Sequence, residues 1–254
     1  MKTRNKKIAI AGAGLVGSVA ACYLARRGYE VHLFERRPDP RISENDSGRS
    51  INLALSNRGW LPLKEIGLEE GASKHVIPMK GRMMHDTDGD LTYQPYGREG
   101  EAINSVSRGG LNILLLNAAE EYGCETHFDC YVRHVDFDEA VLYMDDDSSF
   151  HADIIIGADG AFSAVRSQMQ KTERFNYSQY FINYGYKEMT LPADEEGRHK
   201  MEINALHIWP RGNYMLIALP NLDGTYTCTL FLPFEGPKSF EKLDTDKAID
   251  EFFR

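Results

Sequence analysis

The stretch "IAGAGLVGS", residues 10 to 18, limits the possible folds more than any other part of the chain. Gly12, Gly14 and Gly17 follow a short apolar run, residues 7 to 11, that reads as a buried strand. They precede residues 15 to 27, where Val16, Ala20 and Leu24 recur at helical spacing, and residues 30 to 34 read as a second strand. Strand, turn, helix and strand make a βαβ unit, and the glycines sit where strand becomes helix. A pyrophosphate held there would meet the helix N-terminus. Glu35 comes eighteen residues after Gly17, at the end of the second strand, where a carboxylate accepts hydrogen bonds from an adenosine ribose. That acid disfavours a 2′-phosphate, although Arg36 and Arg37 beside it blur the distinction. The expected occupant is therefore FAD or NAD rather than NADP; the competing reading is that the glycines serve the turn alone.

Composition narrows the class of partner. The formal net charge of -9, with no Lys/Arg-rich run, argues against a nucleic-acid surface and for a small molecule. No apolar run approaches the ~20 residues needed to span a bilayer, and the N-terminus lacks the long apolar core of a signal peptide. Cys22, Cys124, Cys130 and Cys228 contain no CxxC pair and suit a reducing cytoplasm better than a disulfide framework. Cys124, His127 and Cys130 in "CETHFDC" have ligand-like spacing, but on a strand residues three apart point to opposite faces. No metal site and no catalytic triad are expected; His207 and Ser163 each lack a partner at recognisable spacing.

Further along, Ser56 or Asn57 can cap a short helix through Ile66, and residues 80 to 86 and 91 to 95 read as a hairpin around "TDGD". Ser107 can cap a long helix that ends at Gly123. Three β segments are expected at 125 to 135, 140 to 145 and 149 to 156, with "DDDSS" as a solvated hairpin tip. From about residue 178, β segments separated by "PRGN" and "NLDG" suggest an antiparallel meander, and "LDTDKAIDEFFR" opens a helix with Thr245 as its cap.

Three segments go beyond a generic dinucleotide fold: "GRSINLALSNRG" at 48 to 59, "GADGAFSAVR" at 157 to 166 and "LHIWPRGNYMLIALPNLDGTYTCTLFLPF" at 206 to 234. Together they resemble the single-component FAD-dependent aromatic hydroxylases with a p-hydroxybenzoate-hydroxylase-like fold, and among these the enzymes that act on kynurenine. The resemblance covers essentially the whole chain. It implies an α/β architecture, with a Rossmann-like FAD-binding domain (1–75 and 100–175) and an antiparallel β-sheet substrate domain (76–99 and 176–235). Residues 236–254 would then start a helix leading into a C-terminal region that this chain lacks.

On that pattern the cofactor is FAD, contacted by Gly12, Gly14, Val16, Gly17, Glu35, Arg36, Arg37, Ala54, Arg108 and Val132, with Asp159 in the Asp-Gly motif. The substrate is L-kynurenine: Arg82 and Tyr96 match the positions that hold its carboxylate, and Leu206, Met215, Ile217, Leu219 and Phe231 those that line its ring. The implied reaction uses NADPH as transient co-substrate and O₂, and yields 3-hydroxykynurenine, a step of tryptophan catabolism towards NAD. A homodimer is a further expectation. Enzymes of this kind carry a "GDAAH"-type flavin motif that does not occur in these 254 residues. The alternative expectation is thus a truncated, non-catalytic fragment with weak or no flavin binding.

Overall fold

The computed structural model describes residues 6–43, 52–98 and 100–253. Residues 48–51 of the first resemblance segment lie outside the described residues. The chain begins with β1 (Lys7–Ala11), α1 (Leu15–Ala25), β2 (Glu30–Phe34), β3 (Asn52–Leu55), α2 (Asn57–Glu65) and α3 (Glu69–Ser73). It continues through β4 (Val76–Met79), β5 (Gly81–His85), β6 (Leu91–Pro95), β7 (Ile103–Ser107), α4 (Arg108–Glu121) and β8 (Glu125–His127). Then follow β9 (Val132–Asp136), β10 (Val141–Met144), β11 (Ser149–His151), β12 (Ile154–Gly157) and α5 (Ala164–Met169). Strands β13 (Tyr184–Leu191), β14 (Ala205–Arg211), β15 (Tyr214–Pro220) and β16 (Tyr226–Pro233) precede a 3₁₀ turn (Phe240–Lys242) and α6 (Asp246–Phe253). The fold class is α/β, as expected.

The chain divides into two compact units, one of residues 1–50, 59–74 and 108–178 and the other of residues 51–58, 75–107 and 179–254. The first is built on a parallel sheet in the order β12-β1-β2-β8. Alternation along β1 and β2 sends Ala9, Ala11 and Phe34 to one face, where they bury against Val132, Val135, Leu142, Met144 and Val165. Those residues come from the antiparallel sheet β11-β10-β9 and from α5. Helices α1 and α4 pack against each other, joined by a contact from the Cys22 thiol to the Leu115 carbonyl.

Three local expectations need correction here. The buried face of α1 is Gly17, Ser18, Ala21, Cys22 and Ala25, while Val16 is 73% exposed. Small side chains let the helix lie close to its neighbours, and that close approach outweighs the larger side chains that dominate a hydrophobicity count. The expected strand 125 to 135 is also two strands. At Asp129, φ of 53° turns the chain out of the parallel sheet, and the Cys130 N–H bonds the Glu35 carbonyl, so Cys130 lies in the connection between β8 and β9. Likewise 149 to 156 breaks at Ala152–Asp153, where the Asp153 carboxylate accepts the Lys7 N–H at 2.7 Å.

The second unit holds a three-stranded sheet, β3-β7-β4, and a six-stranded sheet, β13-β16-β15-β14-β5-β6. The larger sheet is antiparallel except at β14–β5, which pair in parallel, and β13 returns beside β16, so the strand order is not that of a simple meander. One face carries a core of Ala218, Tyr226 and Cys228, with Met189, Leu191, Trp209 and Leu216 packed against it. The Ala248 N–H bonds the Thr245 hydroxyl, which caps α6 as expected. Among the described residues no helix is long and apolar enough to cross a membrane, and all four cysteines are free thiols.

Candidate functional site

The turn after β1 is shaped by two glycines and left open by the third. Gly12 has φ of 100°, and a Cβ there would meet the Ala158 backbone; a Cβ on Gly17 would meet the Gly12 carbonyl. Gly14 has nothing within 4 Å of its Cβ position, and as N-cap of α1 it offers no side chain to the first helical N–H groups. Two glycines are therefore needed for the fold, and the third leaves free space at a helix N-terminus, where an anion is favoured.

That space opens into a cleft of about 290 Å³ in the first unit. Gly12, Gly14, Glu35, Arg36, Arg37, Arg108, Val132 and Asp159 all line it. A smaller cavity of about 40 Å³ shares Gly14, Glu35, Arg37 and Arg108 and adds Pro38, Pro40, Asn112 and Phe128. Of the residues expected at the cofactor, Gly17 is buried beneath the turn, Val16 stands exposed on the first turn of α1, and Ala54 lies exposed on β3 in the second unit. None of those three lines the cleft.

Glu35 is 7% exposed, and its carboxylate is already engaged. Oε2 accepts the Ala13 N–H at 3.0 Å, while Oε1 accepts the Arg37 Nε at 2.9 Å and the Arg37 backbone N–H at 3.2 Å. A carboxylate has about four lone-pair sites, so one remains for a ligand hydroxyl. Asp159 is likewise employed: it accepts the Ser163 hydroxyl at 2.5 Å and the Ala164 N–H at 2.7 Å, while Ser163 caps α5 through the Arg166 N–H. Ser163 thus has a partner after all, in a helix cap rather than a triad. Sequence reasoning missed Asn112, whose Nδ2 donates to the Ala13 carbonyl at 3.1 Å and whose buried Oδ1 has no partner.

In the second unit, strand register decides which residues share a face. Arg82 on β5 pairs with Leu206 on β14, Met215 on β15 with Phe231 on β16, and Ile208 with Ile217. By alternation, Arg82, Leu206, Met215, Ile217, Leu219 and Phe231 project from the same side of the sheet, opposite the Ala218–Tyr226–Cys228 core. Gln94 faces Arg82 across the hairpin, and Tyr96 follows two residues later, with the Arg82 guanidinium 5.2 Å from the centre of its ring. The Tyr96 hydroxyl is buried without a hydrogen-bond partner. Tyr186, opposite Phe231 on β13, and Thr229, opposite Ile217, join the same face; only the cross-strand register, not the local sequence, could have found them.

His207 also has a partner, on the core face. Its Nε2 lies 2.8 Å from the Glu202 carbonyl, so Nε2 carries the proton, and Nδ1 accepts from His85 Nε2 at 2.9 Å. Burial holds both histidines below the usual imidazole range.

Comparison with known proteins agrees with this geometry. The chain is 50% identical to a kynurenine 3-monooxygenase of Christiangramia forsetii over 98% of its length, and 49% identical to one of Flavobacterium johnsoniae over 97%. It spans 57% and 56% of those relatives, so it matches somewhat over half their length. The tetrameric form of 2-methyl-3-hydroxypyridine-5-carboxylic acid oxygenase superposes with a TM-score of 0.78 at 18% identity, covering 99% of this chain and 65% of that one. The family model described as "FAD binding domain" matches residues 5–233, and with the open glycine turn and the Glu35 cleft already in place, the chain belongs to that FAD-binding family.

Proposed function

We propose that this chain is the FAD- and substrate-binding part of a monooxygenase that converts L-kynurenine to 3-hydroxykynurenine with NADPH and O₂. The observation that carries the reading is the one sheet face that gathers Arg82, Leu206, Met215, Ile217, Leu219 and Phe231, with the unpartnered Tyr96 hydroxyl beside Arg82. The names of its relatives support the same substrate.

The residues of the glycine turn fit FAD. Gly14 leaves the approach to the α1 N-terminus clear for a pyrophosphate, and Arg36 and Arg108 add positive charge along the cleft. The remaining lone pair of Glu35 suits a ribose hydroxyl, and Pro38, Pro40 and Phe128 offer an apolar wall for an adenine. FAD held there would supply the redox chemistry that activates O₂.

The remaining work is positioning. Arg82 offers a guanidinium fork to the amino-acid carboxylate, and Tyr96 donates its hydroxyl to the same group. The apolar face of β14, β15 and β16 takes the aromatic ring and keeps water from it. The ring amine already enriches the carbon ortho to it, so no strong base is required of the protein, and orientation is its main contribution. The free thiols support a reducing, cytoplasmic setting.

The test is to mix the purified protein with FAD, record the flavin spectrum, and follow NADPH oxidation with and without L-kynurenine while measuring 3-hydroxykynurenine by mass. The expected result is retained flavin and kynurenine-stimulated oxidation coupled to product. Flavin binding with oxidation indifferent to kynurenine would overturn the substrate, and absence of flavin binding would overturn the cofactor role.

A further inference from the structure

A second cluster lies on the first unit's parallel sheet, among residues that take no part in the proposed reaction. The β2–β8 register sets His32 opposite Glu125 and Phe34 opposite His127, so both histidines and Glu125 project from one face at the sheet edge. His32 Nδ1 lies 3.2 Å from His127 Nε2. The Glu125 carboxylate straddles them, with Oε2 3.6 Å from His32 Nδ1 and Oε1 3.6 Å from His127 Nε2.

Those distances are too long for hydrogen bonds from either ring to Glu125. One oxygen of Glu125 with His32 Nδ1 and His127 Nε2 places three donor atoms within 4.8 Å of one another, close to the ~3.4 Å that separates ligands about 2.1 Å from a tetrahedral ion. The outer partners fit as well. His32 turns its other nitrogen, Nε2, to Glu30 Oε1 at 3.2 Å, and Lys7 Nζ holds the same oxygen at 3.2 Å. A ligating histidine commonly anchors its second nitrogen to a carboxylate in this way. Phe150 packs on His32 and Phe34 stacks on His127, with ring centroids 4.5 and 4.7 Å apart, giving the cluster an apolar wall. The Glu125 side chain is 66% exposed, which leaves a way in from solvent and room for water as a fourth ligand.

We propose that His32, Glu125 and His127 bind a divalent transition-metal ion of the zinc(II) class, clipping β8 onto β2. Two imidazoles and one carboxylate are donors suited to such an ion and unsuited to calcium or magnesium, which take oxygen ligands. The site adjoins the cofactor cleft through the backbone, since the His127 carbonyl accepts the Glu35 N–H at 2.8 Å. A bound ion would therefore stiffen the strand that holds Glu35 in place.

The test is equilibrium dialysis of tag-free protein against buffered zinc(II), with bound metal read by atomic emission. The parent is compared with His127→Gln, Glu125→Gln and, as a control at the exposed His134 on β9, His134→Gln. The parent and His134→Gln are expected to retain one equivalent. The ligand variants should weaken zinc binding by at least roughly 10–100-fold, the range that loss of an outer partner alone can cost. Glu125→Gln changes an exposed side chain, so it keeps the fold should His127→Gln disturb it. X-ray absorption of the zinc-loaded parent should show imidazole scattering. No zinc retained at micromolar free metal, retention undiminished in both ligand variants, or a zinc shell without imidazole would each overturn the site and leave a simple histidine–histidine hydrogen bond.

Discussion

The glycine turn of the first unit and the six-stranded sheet of the second are both candidate binding surfaces, but they are specified in different ways. The turn is written in consecutive residues: β1, Gly12 to Gly17, α1 and β2 reach Glu35 within one βαβ unit. The sheet face draws Arg82 and Tyr96 from one hairpin and its apolar residues from strands more than a hundred positions later, joined by the parallel β5–β14 pairing. A contiguous motif depends on backbone shape, whereas an assembled face depends on register, and a one-residue slip would turn every one of its side chains to the other side. Substitutions in the turn should therefore separate fold from ligand residue by residue, while substitutions on the face should act on ligand alone.

The largest expected effects fall within the turn. Gly12→Ala forces a left-handed backbone and a clash with the Ala158 backbone, and Gly17→Ala drives a Cβ into the Gly12 carbonyl. Each should cost about 3 kcal/mol or more of stability by denaturant unfolding. A Cβ at Gly14 meets open space, so Gly14→Val should cost only about 1 kcal/mol, from the poorer helix cap, while flavin absorbance is lost on gel filtration. Equal destabilisation by all three, or a Gly14→Val protein that stays yellow, would break the division between shape and ligand.

The same contrast accounts for what could be read from the sequence. The βαβ unit, the Gly123 helix end, the β5–β6 hairpin and the Thr245 cap are local, since each depends on residues a few positions apart. The α1 face was displaced from Val16, Ala20 and Leu24 to Gly17, Ser18, Ala21, Cys22 and Ala25, because closeness of packing leaves no mark on an apolar count. The break at Asp129 was hidden because the bond that fixes it, Cys130 N–H to the Glu35 carbonyl, reaches a residue just past β2, far away in the chain. At the site, the family resemblance named Arg82 and Tyr96, and no local pattern of residues did. Nothing in the chain before folding shows that the Tyr96 hydroxyl ends up buried and unpartnered.

On the assembled face, Arg82→Ala should weaken L-kynurenine binding by about 2–4 kcal/mol if its guanidinium pairs with the carboxylate. Tyr96→Phe should cost about 1 kcal/mol of binding and leave the free protein no less stable, because the hydroxyl it removes has no partner to lose. Titration of the bound flavin spectrum with kynurenine measures both, and an unchanged dissociation constant for Arg82→Ala would refute its role. Glu35→Gln falls between those two in size and tests the turn from the other side. Oε2 holds the Ala13 N–H, so the change should cost about 1–2 kcal/mol of stability as well as flavin affinity. A loss of affinity with no loss of stability would mean that Glu35 serves the ligand only.

The smallest effect concerns the side of the sheet that faces away from the proposed substrate. His207 is 2% exposed, and it keeps its Nδ1 lone pair only while its Nε2–H is held by the Glu202 carbonyl, leaving Nδ1 to accept from His85. Desolvation lowers both imidazoles first; for His85 the His207 ring and Arg211 add to it, while Glu202 opposes it at His207. Since the folded pKa values lie below the unfolded one, the unfolded chain binds more protons as pH falls through about 6.5. Stability from this pair is therefore fully present above that pH and drains away below it, with a slope of at most about 1.4 kcal/mol per pH unit for each proton. His127 in the first unit is also lowered by burial and adds in the same direction, so the wild-type slope alone does not isolate the pair. The decisive quantity is the difference between wild type and His85→Gln in Tm from pH 7.5 to 5.5, where the variant should fall less steeply. Identical slopes would show that the core face is insensitive to these histidines, and its conformation would then rest on apolar packing around Tyr226 alone.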